Sequence, residues 1–173
     1  TPVIIMSDLD LGMNDHLTDE FIWDDNREYD TGKVLSAEEL DATENYGRYL
    51  DVDGDGVCYR TLPGTHPDKG SFFTRGTSRT KYAAYTEKSD DYVENMQRLE
   101  KKMETAAEMV PHPEIVKGKK LAKIGLIYFG TTSHAIDEAK AQLKDHGLSS
   151  DTMRIRAFPF NHQVREFIDA HQN

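Results

Sequence analysis

The sequence of 173 residues has a single tryptophan, a single cysteine and no long apolar run. Its cysteine, Cys58, has no partner with which to form a disulfide within the chain. A lack of disulfides is typical of a reducing compartment, and we therefore expect a cytoplasmic protein. No apolar run approaches the roughly 20 residues that a transmembrane helix needs, so no membrane association is predicted.

Basic residues are scarce in the first third of the chain. Residues 1–56 contain 16 acidic and 3 basic residues, whereas the other 117 contain 15 acidic and 18 basic residues. The formal net charge of −10 is therefore the sum of −13 and +3. An acidic segment repels a phosphate backbone, so the composition argues against binding to nucleic acid. It is compatible with a solvated face or with a basic partner subunit.

Short apolar runs alternate with a helical pattern in the last third of the chain, which predicts an α/β fold. The runs 124–129 and 152–156 are predicted as neighbouring parallel strands of a doubly wound sheet, because a helix over 134–146 separates them. Val3–Met6 is also a continuous apolar run, typical of a strand buried on both faces. Such a strand needs neighbours, and the last helix is predicted to reach Gln172–Asn173 with no strand after it, so we expect a piece of a longer polypeptide.

Other helices are predicted from periodicity and from signals at their ends. Ser36–Glu39 is a capping box that opens a helix over 37–46. A shorter helix is predicted over 15–24, and a last one begins after Asn161 as its cap. The longest is predicted over 90–110, where apolar residues recur in steps of four and three. This apolar stripe consists of Tyr92, Met96, Leu99, Met103, Ala106 and Val110.

A long excursion without helical periodicity runs over 47–86, and its content of Gly, Pro and Asp argues against a helix or a central strand. A long ordered excursion between regular elements is usually a functional loop or an interface. Short strands are predicted within it at 58–62 and 71–75, and 111–120 is predicted as a linker.

One part of this excursion resembles a calcium-binding loop. Asp51–Gly56 places acidic residues at positions 1, 3 and 5 and glycine at position 6, but position 12 is Leu62 where a bidentate glutamate is required. A turn built from Asp and Gly is therefore favoured over a calcium site. Cys58 has no cysteine partner and the seven histidines lack the spacing of a zinc site, so we expect tight binding of neither ion.

Five residues are candidates for contact with a substrate or a partner subunit: Asp8, Asn14, His66, Arg75 and Arg79. The first two bound a loop at the carboxyl end of the first predicted strand, where sites form in α/β sheets. His66 lies in a constrained loop, where it either serves a function or bonds to a backbone carbonyl. The two arginines carry guanidinium groups suited to a carboxylate or a phosphate, or else they belong to a solvated loop.

The turn Gly130–Ser133 follows a predicted strand and precedes a predicted helix. Free amides at a helix N-terminus can bind an anion, so the turn is either an anion site or a simple helix cap. It lacks the repeated glycines of a dinucleotide-binding or P-loop motif.

Several stretches, taken in order, resemble the alpha subunit of the 2-oxoacid:ferredoxin oxidoreductases, particularly the 2-oxoglutarate type. The combination of DVDGDG with TLPGTHP is the most specific part of a resemblance that covers essentially all 173 residues. The matching stretches are Pro2–Asn14, Gly32–Leu40, Gly47–Gly56 continued by Tyr59–Pro67, Phe73–Gly76 and, more weakly, Arg154–Phe160.

The resemblance implies how the chain is divided and what it does. Residues 1–30 would end a pyrimidine-binding thiamine diphosphate domain, 31–116 would be a linker excursion with the long helix, and 117–173 would be the first half of a transketolase C-terminal-like domain with a partial parallel sheet. The enzyme would oxidatively decarboxylate a 2-oxoacid such as 2-oxoglutarate to an acyl-CoA and reduce ferredoxin. The alternative from another class is a free-standing, flavodoxin-like binding or scaffolding module.

The resemblance also implies that the cofactors lie mainly outside this segment. In the family, thiamine diphosphate and magnesium bind between the alpha subunit and the beta subunit, and coenzyme A and ferredoxin meet the assembled complex. The family's Tyr-Pro-Ile-Thr-Pro motif and its activating carboxylate have no counterpart here, so no catalytic or metal-binding residue is assigned and the chain alone is expected to be inactive and free of cofactors. Many relatives carry a histidine and acidic residues after Gly76, where this chain departs with Thr-Ser-Arg-Thr-Lys-Tyr82.

Overall fold

The computed structural model describes residues 3–118 and 122–171, and the chain divides into two compact units. We call them the sheet unit, Thr1–Trp23 with Ala107–Asn173, and the loop unit, Asp24–Ala106. The α-helices are α1 Leu9–Met13, α2 Ala37–Ala42, α3 Ser89–Met109, α4 Ile136–Asp145 and α5 His162–Ala170; the strands are β1 Glu114–Val116, β2 Ile124–Tyr128 and β3 Ser150–Arg154. Of the helices in these described ranges, none has the length and apolarity that a membrane span requires.

The sheet unit contains a three-stranded sheet in the order β1-β3-β2. β2 and β3 pair in parallel, which confirms the predicted parallel neighbours. β1 pairs with β3 in the antiparallel sense, with Ile115 opposite Met153, so the sheet is mixed. The linker predicted over 111–120 is therefore wrong at β1, and its residues 119–120 lie outside the described residues. Three residues are too few to show the alternation by which a strand is recognised in a sequence.

The core of the sheet unit lies where α5 packs on β3. Met153 is fully buried, and Val164 and Phe167 of α5 are buried against it. Ile115 and Ile155 pack around these three side chains. Burial of a large apolar side chain is worth about 1.5–3 kcal/mol, so this contact is what fixes α5 on the sheet.

The helices that flank the strands begin and end largely where the sequence predicts. A 3₁₀ turn, Gly130–His134, leads into α4, and Gly147 follows it with φ of +77°, the left-handed conformation that ends many helices. Asn161 precedes α5 as predicted, but its side chain makes no capping bond and instead donates to Gln163 Oε1 at 3.4 Å. The described helix ends at Ala170, and the predicted helix end at Gln172–Asn173 lies outside the described residues.

In the loop unit, α2 begins with the predicted capping box. Ser36 Oγ accepts from the Glu39 amide at 3.2 Å, and Glu39 Oε2 accepts from the Ser36 amide at 2.7 Å. Leu40, the most buried residue of the helix, anchors it. The helix ends at Ala42, earlier than predicted, and the Thr43 hydroxyl donates back to the Glu39 carbonyl at 2.8 Å. Such a side-chain bond competes with continuation of the helix.

The predicted long helix is confirmed as α3. Within the loop unit its polar face packs on the excursion: Arg98 Nη1 donates to the Gly56 carbonyl at 3.0 Å, and Thr105 Oγ1 donates to the Asp55 carbonyl at 2.7 Å. The apolar stripe of α3 is consequently left at the surface. Its four largest side chains are 39–52% exposed: Tyr92, Met96, Leu99 and Met103.

The strand predicted over Val3–Met6 and the helix predicted over 15–24 are both wrong. The side chains of Val3–Met6 are 84–91% exposed and pair with no strand of the described residues, and residues 15–24 are not helical. A strand takes its hydrogen bonds from neighbours, and a short helix is stable only where its apolar face can pack. Neither condition is met for this segment among the described residues.

The strands predicted at 58–62 and 71–75 are also wrong. The first contributes only an isolated bridge between Val34 and Arg60, and the other isolated bridge of the loop unit, Arg79 with Tyr85, lies outside both ranges. The Gly and Pro residues that surround these stretches interrupt the ladder of backbone bonds that a strand requires.

Candidate functional site

The loop Asp51–Gly56 is closed by one of its own carboxylates. Asp51 accepts from the backbone amides of Gly54 and Gly56 at 3.0 and 2.9 Å. Gly56 is buried with φ of +75°, and a Cβ atom there would lie 2.7 Å from the Arg98 carbonyl of α3. The turn predicted from Asp and Gly is thus the observed structure, and it brings the backbone of the excursion against the helix.

The other two carboxylates of this loop hold a lysine. Lys33 Nζ lies 2.6 Å from Asp53 and 2.8 Å from Asp55, and it donates to the Val57 carbonyl at 3.1 Å. Burial alone would lower the pKa of Lys33, but the hydrogen bonds to the two carboxylates outweigh burial and raise it. The hydrogen bond from Lys33 lowers the pKa of Asp55. The Lys33 ammonium places a positive charge between the carboxylates of Asp53 and Asp55. Over residues 3–118 and 122–171, no three His, Cys, Asp or Glu side chains are placed to hold a metal ion.

Replacing Lys33 by methionine is expected to lower the free energy of unfolding by about 1 kcal/mol at neutral pH, since the pairs are partly exposed. Because folding lowers the pKa of Asp55, this loss should be fully present at pH values above the ordinary value of 3.8 and should decrease as the pH falls through the lower folded pKa of Asp55. Urea titrations between pH 2 and pH 7 measure it. The control Lys81→Met, which removes one exposed pair with Glu94, should cost less. Equal losses at pH 2 and pH 7 would contradict the role of these carboxylates.

His66 organises its own loop. Its Nδ1 accepts from the backbone amides of Asp68 and Lys69 at 3.0 and 2.9 Å. Its Nε2 lies 3.3 Å from Asp41 Oδ1, which also binds the Lys69 ammonium at 2.8 Å. The hydrogen bond from Lys69 lowers the pKa of Asp41. Both ring nitrogens are engaged, and the bonds of His66 to the backbone are to amides rather than to a carbonyl.

Two arginines of the loop unit share one aromatic ring. The guanidinium carbons of Arg48 and Arg79 each lie 5.5 Å from the centroid of the Tyr49 ring, and that of Arg48 lies 5.6 Å from the centroid of Phe72. We call these four residues the arginine–aromatic cluster. Arg79 also donates to the Gly76 carbonyl at 3.3 Å. A guanidinium that faces a ring keeps its N–H edge available for bidentate binding of a carboxylate.

Arg48, Arg75 and Arg79 have no carboxylate within ion-pair distance in the part of the chain that the structure describes. The side chain of Arg75 is exposed. Arg60 and Arg98 also lack an acidic partner among the described residues, but each donates to a backbone carbonyl. Arg48, Arg75 and Arg79 are suited to bind an external carboxylate.

The prediction of a loop between Asp8 and Asn14 is wrong, because the residues between them form the helix α1 of the sheet unit. The Asp8 carboxylate caps its first turn, and this local bond stabilises a short helix there. Asp8 Oδ1 accepts from the Leu11 amide at 2.8 Å, and Oδ2 accepts from the amide and the hydroxyl of Thr131 at 3.0 and 2.9 Å. Asn14 donates to the carbonyl of Asp10 at 3.1 Å and also to its carboxylate. The turn Gly130–Ser133 therefore does bind an anion, and that anion is a side chain of the same chain.

The candidates divide between the units: Asp8 and Asn14 belong to the sheet unit, and His66, Arg75 and Arg79 to the loop unit. Sequence reasoning missed Arg48. Its only sequence signal is its position beside Tyr49 in a stretch rich in turn residues. The other members of the cluster, Phe72 and Arg79, are distant in the sequence, so no local pattern indicates that they meet Arg48 and Tyr49.

Comparisons with known proteins give one informative result. No protein-family model matches the sequence, and no curated protein matches it. Among solved structures, the fold is similar to 2-oxoglutarate:ferredoxin oxidoreductase from Magnetococcus marinus, solved with 2-oxoglutarate, coenzyme A and succinyl-CoA bound. The TM-score is 0.62 and the identity 18%, and the match covers 77% of this chain and 23% of that chain. The similarity shows a shared fold, and this chain corresponds to less than a quarter of that protein.

Proposed function

We propose that this chain is a segment of the alpha subunit of a 2-oxoacid:ferredoxin oxidoreductase dependent on thiamine diphosphate. The observation that carries the proposal is the fold shared with a 2-oxoglutarate:ferredoxin oxidoreductase over 77% of the chain. The motif resemblance supports it independently, because it was read from residue identities and the fold similarity from backbone positions. The reaction would be the oxidative decarboxylation of a 2-oxoacid such as 2-oxoglutarate to an acyl-CoA, with reduction of ferredoxin.

In this proposal the chain contributes binding groups rather than the reacting centre. Thiamine diphosphate and magnesium would be held mainly by other parts of the alpha subunit and by the beta subunit, while coenzyme A and ferredoxin meet the assembled enzyme. Every 2-oxoacid carries a carboxylate, and the three arginines without acidic partners are suited to it. They would contact either that carboxylate or an acidic group of the beta subunit.

Reconstitution of the enzyme from its alpha and beta subunits tests the whole proposal. The complete alpha subunit that contains this segment, mixed with its beta subunit, thiamine diphosphate and magnesium, should reduce ferredoxin only when a 2-oxoacid and coenzyme A are both present. The 173-residue chain alone should show no turnover. An alpha subunit that fails to co-elute with the beta subunit in size-exclusion chromatography, or an assembled complex without turnover on a series of 2-oxoacids, would overturn the proposal.

Arg75→Ala and Arg79→Ala should each lower kcat/KM of the assembled enzyme if the arginine binds the substrate carboxylate. A lost hydrogen bond to a charged group costs about 1.5–3 kcal/mol, which corresponds to roughly 10-fold to 150-fold. The matched control is Arg165→Ala, because Arg165 is 88% exposed and already faces Asp169 at 3.9 Å. Wild-type kinetics in both variants would assign the excursion a structural or subunit-contact role.

A further inference from the structure

The Asp8 carboxylate joins two parts of the sheet unit that are 123 residues apart in the sequence. One oxygen accepts from the Leu11 amide and so caps α1, while the other accepts from both donors of Thr131, immediately after β2. Three hydrogen bonds to one ionised group are stronger together than bonds between neutral groups of the same geometry. Asp8 thus ties the start of α1 to the turn that follows the strand.

The backbone of the turn is shaped for this contact. Gly130 has φ of +58°, and a Cβ atom at that position would lie 2.7 Å from Asp8 Oδ2. A side chain of any other residue would therefore both strain the backbone and push the carboxylate away. The glycine that the sequence places in this turn permits close approach of Asp8.

Apolar packing does little to hold the segment around Asp8. Val3–Met6 are 84–91% exposed, and α1 contains no buried residue. The position of the segment around Asp8 must therefore depend on a polar contact rather than on apolar packing. We propose that Asp8 and Thr131 form a clamp that positions the segment Ser7–Asn14, which contains α1, at the carboxyl end of β2. The inference does not depend on the proposed enzymatic function.

The clamp should be closed at neutral pH. The hydrogen bonds from the Leu11 amide and then from Thr131 lower the pKa of Asp8, burial opposes them weakly, and His134 in the turn adds a smaller favourable charge. Asp10, on α1 itself, is the other nearby acidic side chain, and it engages Asn14. Because folding lowers the pKa of Asp8, the clamp persists at all pH values above the ordinary value of 3.8 and opens as the pH falls through the lower folded value.

The test is site-resolved hydrogen exchange by NMR on the full 173-residue chain. In Asp8→Asn, at least one of the amides of Leu11 and Thr131 should exchange about tenfold faster or more, because the amide side chain has a single acceptor oxygen. Thr131→Ser, which retains both donors, should exchange as the wild type does. Thr131→Val, which loses the hydroxyl alone, should show a smaller acceleration at Thr131.

Amides of β3 and α5, which belong to the same sheet unit as the clamp, report whether that unit is folded in each variant. In the wild type the Thr131 amide shift should titrate with Asp8 below pH 3.8, and this titration should be absent in Asp8→Asn. If Asp8→Asn keeps wild-type exchange at both amides while β3 and α5 remain protected, the clamp does not exist. If Asp8→Asn does not fold, unchanged Thr131 exchange in Thr131→Val together with an absent titration in the wild type overturns the inference.

Discussion

Gly56→Ala is expected to destabilise the loop unit by about 3 kcal/mol, several times the cost of the same change at Gly54. Both glycines have nearly the same left-handed backbone, with φ of +75° and +74°. Only at Gly56 would the added Cβ collide with α3, at 2.7 Å from both the Arg98 carbonyl and the Lys102 Cα. The loop would have to move, and the hydrogen bond from Arg98 to the Gly56 carbonyl would be lost.

The comparison of these two variants separates backbone strain from steric overlap. At Gly54 no atom lies within 4 Å of the added Cβ, so the cost there is the conformational strain alone, about 1 kcal/mol. Urea unfolding followed by far-UV circular dichroism, which detects α3, measures both. Equal losses of stability in the two variants would mean that the Asp51–Gly56 loop does not pack on the helix.

Asp151→Ala is expected to cost about 3 kcal/mol in the sheet unit, because it leaves His171 Nε2 and the Gly118 amide without their hydrogen-bond partner. Asp151 Oδ1 accepts from the Gly118 amide at 2.7 Å, and Oδ2 lies 3.2 Å from His171 Nε2. The side chains of His171 and Asp151 are only 8% and 11% exposed. His171 Nδ1 is 2.6 Å from the Phe167 carbonyl, so the pair connects β3 to the end of α5.

Two further variants make this prediction specific. Asp151→Asn should cost less than half as much as alanine, because its amide oxygen can still accept from the Gly118 amide while its nitrogen stays within reach of His171 Nε2. Glu114→Ala removes exposed pairs with Arg154 and Arg156 near the same sheet and should change stability by less than about 0.5 kcal/mol. Stability of Asp151→Ala within 0.5 kcal/mol of the wild type, also by urea titration, would refute a stabilising role of the pair.

Local signals predicted the regular elements that formed. The capping box at Ser36–Glu39 and the periodicity over 90–110 act between residues three or four positions apart, and both predicted helices are present. The parallel pair of β2 and β3 was also predicted, because an apolar run, a capped helix and a second run admit few arrangements.

Two apolar patterns of the sequence remain exposed for the same reason. Val3–Met6 has the composition of a buried strand, yet it is exposed because composition does not supply the neighbouring strands. The stripe of α3 has the spacing of a buried face, yet the polar side chains Arg98 and Thr105 make the contact with the excursion. In both cases the sequence shows which side chains are apolar enough to be buried. Whether they are buried depends on a neighbouring surface on which they can pack.

The sequence alone determined which charged residues exist and which short segments they occupy, since capping, turn formation and helical periodicity are interactions over a few residues. Only the tertiary structure decided which charges are neutralised. Lys33 lies 20 residues from Asp53, and Asp8 lies 123 residues from Thr131. At these separations no sequence pattern predicts either contact. Arg48, Arg75 and Arg79 become candidates for the same reason: folding gives four lysines of the loop unit an acidic partner within the described residues and gives these three arginines none.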